Sequence, residues 1–477
     1  MLPIMARTFF RLQERLLGRR SFALLSELLQ SERYSRERLD ELRLGRFRRV
    51  VTSAYEHTPY WREVMDRHGI RPEAIGSLDD VRRFPLLVKS TLRDRREQMS
   101  WREAGRRVTL VRTSGSTNEA LQFYTSSRRE AHINAARMRG HEWIGVRRGD
   151  REMYFWGSPV ELSKQDRVKR FRDRLVNDGL TDGFELTAEK VPRYFEYWKR
   201  WRPKCLFGYP CSFTLMAGMA AAAGLDLTEL SRRGLQVICT TSEMLTDVDR
   251  QIISEAFGVP VYDSYGLREA GLVGHECSEG TMHCVEEQLI LETIDPQTLE
   301  PTDGEGELVV TNIVSEVMPI IRYRTGDIVT LVDEPCPCGR TLRSIRISGG
   351  RAVDFVVTKD GRWFAGYSFI YICRSVKGIV KFQVHQERKG QLRVLLVTDG
   401  RFPADGAEQV RQAALARLKS DEDILVEQVD DIRPAASGKY RPVISKVAEE
   451  LIARRGAAGQ AGEGEAEAAR SAAGVAR

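Results

Sequence analysis

Apolar positions change their spacing along the chain, and the changes mark out its parts. Over residues 1–66, Leu16, Leu17, Leu24, Leu25, Leu28 and Leu29 recur at helical intervals among charged residues, and the pattern continues over 42–65 with a break at Pro59. This predicts an amphipathic helical arm packed on the main body; a helix lying on a membrane surface is the other use of such a pattern. Residues 84–93 read as a loop entering a helix with Ser90 as N-cap. Short β-type runs at 108–111 and 121–125 flank a polar turn. A helix is expected over 128–143. Strands at 151–156, 204–208, 235–240 and 259–264 then alternate with helices at 191–201, 212–223 and 247–257. Such alternation implies a largely parallel sheet.

From residue 286 the texture shifts. Strands at 288–293, 307–312 and 328–332, joined by turns such as Thr302-Asp303-Gly304-Glu305-Gly306, suggest an antiparallel or barrel-like annex. Ser348-Gly349-Gly350-Arg351 marks a boundary. Beyond it, apolar runs at 382–384, 392–397 and 425–429 and a helix at 407–419 form a small α/β domain. After Arg455 the chain is mostly Ala, Gly and Glu and is expected to be disordered. The expected class is α/β. A helical arm (1–66) precedes a large domain (67–348) with mixed or parallel sheets and the annex. A small mobile C-terminal α/β domain (349–454) and a tail (455–477) follow.

Composition narrows the function. The 477 residues exceed one core. The net charge of +7 is a small difference between 74 basic and 67 acidic residues, without a basic stripe among aromatics, which argues against nucleic acid. No apolar run reaches the length of a membrane span, and Arg7, Arg11 and Glu14 interrupt the N-terminal apolar residues, so a cytoplasmic location is expected. Of eight cysteines, Cys205, Cys211, Cys239 and Cys373 stand alone among apolar neighbours and read as core. The rest cluster. Cys277 and His283, with Cys336 and Cys338 in a Pro-Cys-Pro-Cys-Gly turn, offer three sulfurs and one imidazole. That donor set suits a tetrahedral structural zinc, with His275 and Cys284 near enough to substitute.

Four polar stations follow apolar strands or turns. The first is Thr113-Ser114-Gly115-Ser116-Thr117, a hydroxyl-rich turn whose backbone N–H groups suit a polyphosphate, although no Walker lysine follows. The second, Tyr265-Gly266-Leu267-Arg268-Glu269, lies where a strand ends, the place where open parallel sheets bind ligands. An aromatic there can stack on a base and a glutamate can hold magnesium. The third, Tyr323-Arg324-Thr325-Gly326-Asp327, offers an aspartate able to accept ribose hydroxyls. The fourth is Lys439 in Ser437-Gly438-Lys439-Tyr440, a cation on a loop of the small domain. Taken singly, each station is also an ordinary turn or surface loop.

In this order the stations resemble the motifs of the adenylate-forming ligase superfamily, with Gly350-Arg351 and Asp354 similar to its interdomain hinge. Phe84-Pro85-Leu86-Leu87-Val88-Lys89, Gly208-Tyr209-Pro210 and the Cys/His stretch resemble the phenylacetate–coenzyme A ligase family, in particular its capsular-polysaccharide ligase-like branch. The likeness spans about residues 40–450. It departs at Asn118, where glycine is usual, at Arg268, where threonine is usual, and at Val353, where aspartate is common.

The resemblance implies ATP-dependent activation of a carboxylic acid as an acyl-adenylate, then transfer to a thiol or amine. It places Thr113, Ser114, Ser116 and Thr117 on the outer phosphates, Tyr265 and Glu243 beside adenine, and Glu269 on Mg2+. It places Asp327 and Arg351 on the ribose, and Lys439 between acid and α-phosphate. Arg268 is able to take a phosphate bidentately in place of the missing hydroxyl. Coenzyme A is the default acceptor, with a carrier-protein thiol or an amine as alternatives, and a homodimer stays open. Trp143, Trp156 and Tyr209 are candidates to line the acid pocket, although packing explains each as well. An inactive zinc-stabilised scaffold is the alternative from another class, and the retention of Glu269 and Lys439 speaks against it.

Overall fold

A computed structural model describes residues 1–104, 108–112, 121–156, 167–182, 186, 189–351, 355–361, 363–365, 369, 372–373, 376–432, 441–448 and 450. Among these the chain divides into two compact units. One holds residues 1–325 and 329–346; the other holds 326–328, 347–432 and the described residues from 441 onward.

The arm is four helices: α1 (Pro3–Leu16), α2 (Ser21–Ser31), α3 (Arg36–His57) and α4 (Pro59–Arg67). Each break has a local cause. Gly18 turns with φ +69° after α1, the Ser35 hydroxyl accepts from the Arg38 N–H to start α3, and Pro59 opens α4 at a position that needs no N–H donor. Pro59 therefore ends one helix and begins the next. Phe47, Val51, Ala54 and Trp61 sink into the core of the first unit. In contrast, α1 leaves Ile4, Met5, Phe9, Leu12 and Leu16 exposed, so this part of the arm does not bury all of its apolar residues.

The short helix α5 (Lys89–Asp94) starts one residue before Ser90, so Ser90 is not its N-cap. The cap position falls on Val88, which makes no side-chain cap bond. The chain is held extended until then because the Leu87 N–H donates to Arg322 O (2.8 Å) and the Arg324 N–H to Leu87 O (2.9 Å). The helix begins where that pairing stops. This docking gives the Phe84–Lys89 stretch its structural role: it braces the strand leading to Asp327.

β1 (Val108–Arg112) and β2 (Gln122–Ser126) pair antiparallel. Helix α6 (Ser127–Trp143), capped by the Ser126 hydroxyl, leads into the main sheet. Its parallel part holds β3 (Glu152–Phe155), β4 (Asp178–Thr181), β5 (Cys205–Gly208), β6 (Val237–Thr241) and β7 (Val261–Leu267). The connections carry α7 (Arg167–Leu175), α8 (Lys190–Trp201), α9 (Pro210–Ala222), α10 (Glu229–Arg232) and α11 (Asp247–Phe257). Phe155, Trp198, Phe213 and Phe257 from these elements share one buried cluster.

The antiparallel strands form no separate body. β8 (Gly271–Glu276), β9 (Met282–Cys284), β10 (Leu289–Ile294), β11 (Gly306–Asn312), β12 (Tyr323–Val332) and β13 (Ser344–Arg351) continue the same eleven-stranded sheet, in the order β10-β11-β12-β13-β9-β8-β7-β6-β5-β3-β4. A fully buried Arg139–Glu287 ion pair ties α6 to the chain just before β10.

The second unit carries a two-stranded ribbon, β14 (Phe355–Val357) with β15 (Trp363–Ala365), and a four-stranded sheet. The sheet runs β18 (Asp423–Gln428), β17 (Gln391–Thr398), β16 (Ile379–Arg388), β19 (Val443–Ser445), with helix α12 (Gly406–Leu418) in the β17–β18 connection. No described helix is long and apolar enough to cross a membrane.

Candidate functional site

The parallel strands end in register. Phe155 lies opposite Gly208, Gly208 opposite Thr240, and Thr240 opposite Asp263. The residues that follow therefore emerge along one edge of the sheet: Trp156, Tyr209, Glu243 and Tyr265. Ligands bind at this edge in open parallel sheets. Trp156 and Tyr209 stack with ring centroids 4.3 Å apart and planes 21° from parallel. Gly208 allows the strands to close up here, since a Cβ would sit 2.4 Å from Phe155 O. Ser242 takes φ +69°, turning the chain sharply after β6. The Glu243 carboxylate accepts from the Cys211 N–H (3.3 Å) at the start of α9, where a negative charge is favoured.

Tyr265, half-buried, and Gly266, exposed, lie near the end of β7, and Arg268, exposed, and Glu269, half-buried, lie on the β7–β8 turn. Two residues that spacing did not reveal hold this turn. Arg129, buried on α6, donates to both Arg268 O and Glu269 O at 2.8 Å. The Asn312 amide donates to Ala270 O at 2.8 Å. An arginine near the start of a charged helix carries no sequence signal that it points inward. Beneath the turn, burial pushes the Asp263 carboxyl up to about 8. Its carboxyl accepts from the Thr240 hydroxyl at 2.7 Å.

Asp327 is buried on β12, two residues after Thr325, whose hydroxyl donates to Leu308 O. Gly326 between them takes φ +78°. Arg351 closes β13. Thr113, Ser114, Gly115, Ser116, Thr117, Asn118, Val353, Asp354 and Lys439 lie outside the described residues. Thus Glu243, Tyr265, Gly266, Arg268 and Glu269 share one edge of the first unit, whereas Asp327 is counted with the second. Trp143 is not at this edge. Its indole N–H donates to Glu32 at 2.8 Å in the interior, so packing accounts for it.

The cysteine–histidine residues form a separate centre. The donor atoms of Cys277, His283, Cys336 and Cys338 all lie within 4.8 Å of one another. Cys277 and Cys336 sulfurs are 3.8 Å apart. Two sulfurs at ~2.3 Å on a tetrahedral zinc stand about 3.8 Å apart, so this pair fits without movement. His283 donates from Nδ1 to Leu342 O (3.0 Å), which turns the Nε2 lone pair toward Cys338 Sγ at 3.2 Å. An outer acceptor that fixes the tautomer is usual for a metal-binding histidine. Burial pushes the Cys277 thiol up to about 12. Cys336, which burial also penalises, is held below the usual thiol range by contacts with Thr281, Cys338 and Cys277. Neither expected substitute joins the set: His275 turns toward Cys239. Cys284 follows His283 on β9, and alternation along a strand sends it to the other face.

Comparison with known proteins fits this architecture. Residues 356–446 match the CapK C-terminal domain. The chain is 27% identical over 373 residues to a phenylacetate-coenzyme A ligase of Thermus thermophilus, covering 76% of this chain and 81% of that one. It is 22% identical over 421 residues to protein CapK of Staphylococcus aureus, covering 86% and 90%. A 2-hydroxyisobutyryl-CoA ligase in its postadenylation state has the same fold, with a TM-score of 0.70 at 19% identity over 90% of this chain and 94% of that one. Over most of its length the chain is thus similar to phenylacetate–coenzyme A ligases and to CapK, has the fold of an adenylate-forming ligase, and ends in a stretch that matches the CapK C-terminal domain.

Proposed function

We propose that the protein activates a small carboxylic acid with ATP, releasing pyrophosphate, and passes the acyl group from the adenylate to the thiol of coenzyme A. The observation that carries this is the row of strand ends. Glu243 follows the end of β6, and Tyr265 and Glu269 lie near and just after the end of β7, on the edge where open parallel sheets take ligands; Trp156 and Tyr209 stack just after β3 and β5. The stack is a flat apolar wall suited to an aromatic or other small acyl group.

In the first half-reaction a carboxylate oxygen attacks the α-phosphorus and pyrophosphate leaves. An ionised acid is a poor electrophile, and the adenylate supplies a good leaving group. The protein's part is positioning and charge neutralisation. Tyr265 flanks the adenine, with Glu243 at its border. Asp327 accepts the ribose hydroxyls with Arg351 beside it. Thr113, Ser114, Ser116 and Thr117 hold the outer phosphates around Gly115, and Gly266 leaves room for the nucleotide. Arg268 takes up phosphate charge where its relatives in the superfamily carry threonine. Lys439 bridges acid and α-phosphate. Glu269 would hold Mg2+, which neutralises phosphate charge when bound, and the Arg129 bonds to its backbone fix where that carboxylate starts. In the second half-reaction the thiol sulfur attacks the acyl carbon and AMP leaves. Zinc on Cys277, His283, Cys336 and Cys338 is structural, since four protein ligands leave no open position.

ATP–pyrophosphate exchange over a panel of aromatic and short-chain acids tests the first half. At least one acid should stimulate exchange, and Lys439→Ala should lower that rate by ~10²-fold or more. If no acid raises exchange above background, the proposal fails. Thioester formation with coenzyme A, set against hydroxamate formation and loading of a carrier protein, tests the acceptor.

A further inference from the structure

A second cluster lies beside the first, where His275 on β8 is paired with His283 on β9. His141 near the end of α6, Cys239 on β6 and His275 on β8 bring their donor atoms within 4.8 Å of one another. All three are buried, at 4%, 0% and 1% exposure. Cys239, expected as a lone core cysteine, and His275, expected as a spare ligand for the first centre, belong here instead. The Trp143 ring stands 6.2 Å from His275 and 5.8 Å from His283, so it borders both groups.

Both imidazoles are oriented as ligands are. His275 Nδ1 is 2.7 Å from Glu276 O and so donates to it. That leaves the Nε2 lone pair facing Cys239 Sγ at 3.6 Å, close to the spacing of about 3.5 Å for nitrogen and sulfur on one tetrahedral zinc. His141 turns Nδ1 toward the Glu152 carboxylate at 3.6 Å. Its Nε2 has no hydrogen-bond partner. A buried ring nitrogen without a partner needs an explanation, and an ion supplies one. Outer acceptors on the far nitrogens are the usual setting of metal-binding histidines. The backbone is shaped for the contact too: a Cβ on Gly140 would lie 2.5 Å from His275 Cγ, so only glycine lets α6 approach this ring.

We propose that His141 Nε2, Cys239 Sγ and His275 Nε2 bind a second zinc ion, distinct from the one on Cys277, His283, Cys336 and Cys338. The Cys239 thiol gives its proton to solvent as the ion binds. Three protein ligands leave a fourth position for water. A polar cavity of about 190 Å³, lined by His141, Glu152, Arg137 and Asn134 among others, lies beside His141 and has room for water. The proposal does not rest on the ligase activity.

Metal analysis of the full-length protein, expressed with zinc and freed of loosely held metal, tests it. Two zinc per chain are expected. Cys336→Ser should remove one and His141→Gln the other. X-ray absorption at the zinc edge of the wild-type protein needs no variant. Two sites with three and one sulfurs average two sulfurs per zinc, whereas the first site alone gives three. A wild-type protein without zinc, or with three sulfurs per zinc, overturns the proposal. Loss of the only zinc in Cys336→Ser, with His141→Gln unchanged, overturns it too and leaves the first site standing.

Discussion

Asp263 shows what a single buried group does to the molecule. Burial raises its carboxyl to about 8, against ~3.9 for an aspartate in an unfolded chain. Between those values the folded state binds the proton and the unfolded state does not. The fold is therefore stabilised below about pH 4 relative to higher pH, and that contribution is lost as pH rises through 8. The slope is at most about 1.4 kcal/mol per pH unit. Asp263→Asn should flatten the dependence of urea midpoint on pH between 4 and 8; an unchanged slope would show that Asp263 titrates normally. At this scale the sequence was partly readable. Cysteines and histidines at short spacing announce the cluster of Cys277, His283, Cys336 and Cys338, and Tyr265 to Glu269 announce the end of a strand and its turn. Arg129 and the His141–Cys239–His275 group were not readable, because each depends on contacts between residues at least 36 positions apart that only the folded sheet creates.

Helix α6 is the element on which these contacts converge. Arg129 reaches the Glu269 turn, Arg139 pairs with Glu287, and Gly140, His141 and Trp143 meet the two cysteine–histidine groups. Its sequence is rich in arginine, yet ten of its residues are buried, which excludes a one-sided surface role. Arg139 and Glu287 are both fully buried. Glu287, despite the penalty of burial, is held below its ordinary range by Arg139 and Ser31. The stability tied to that depressed value is therefore complete above the unfolded value of ~4.3 and is lost as pH falls through the folded one. Removing one partner strands the other charge, so Arg139→Met should cost about 3–5 kcal/mol in chemical denaturation at neutral pH. A loss below ~1 kcal/mol would mean the pair is solvated. Gly140→Ala presses on His275 rather than removing a ligand. It should weaken zinc retention against a chelator at the second centre while leaving the first loaded, and equal release from both centres would count against that geometry.

For the whole molecule, hydrophobic spacing located the helical arm, the parallel strands and the change of texture near residue 286. It did not show that the antiparallel strands extend the same sheet, because strand neighbours such as β13 and β9 are about 60 residues apart in sequence. Nor did it show where α5 begins, which is decided by the pairing of Leu87 with Arg322 and Arg324. The second compact unit takes residues 326–328 and then the chain from Ile347.

The Arg139–Glu287 pair also sets a clock on synthesis. The two residues are 148 positions apart. At about 5–20 residues per second, Glu287 leaves the ribosome roughly 7–30 s after Arg139. Until then α6 cannot be buried without a stranded charge. The first half of the nascent chain must wait in an open state, its apolar faces available to chaperones, and the large unit closes only once the antiparallel strands have been made.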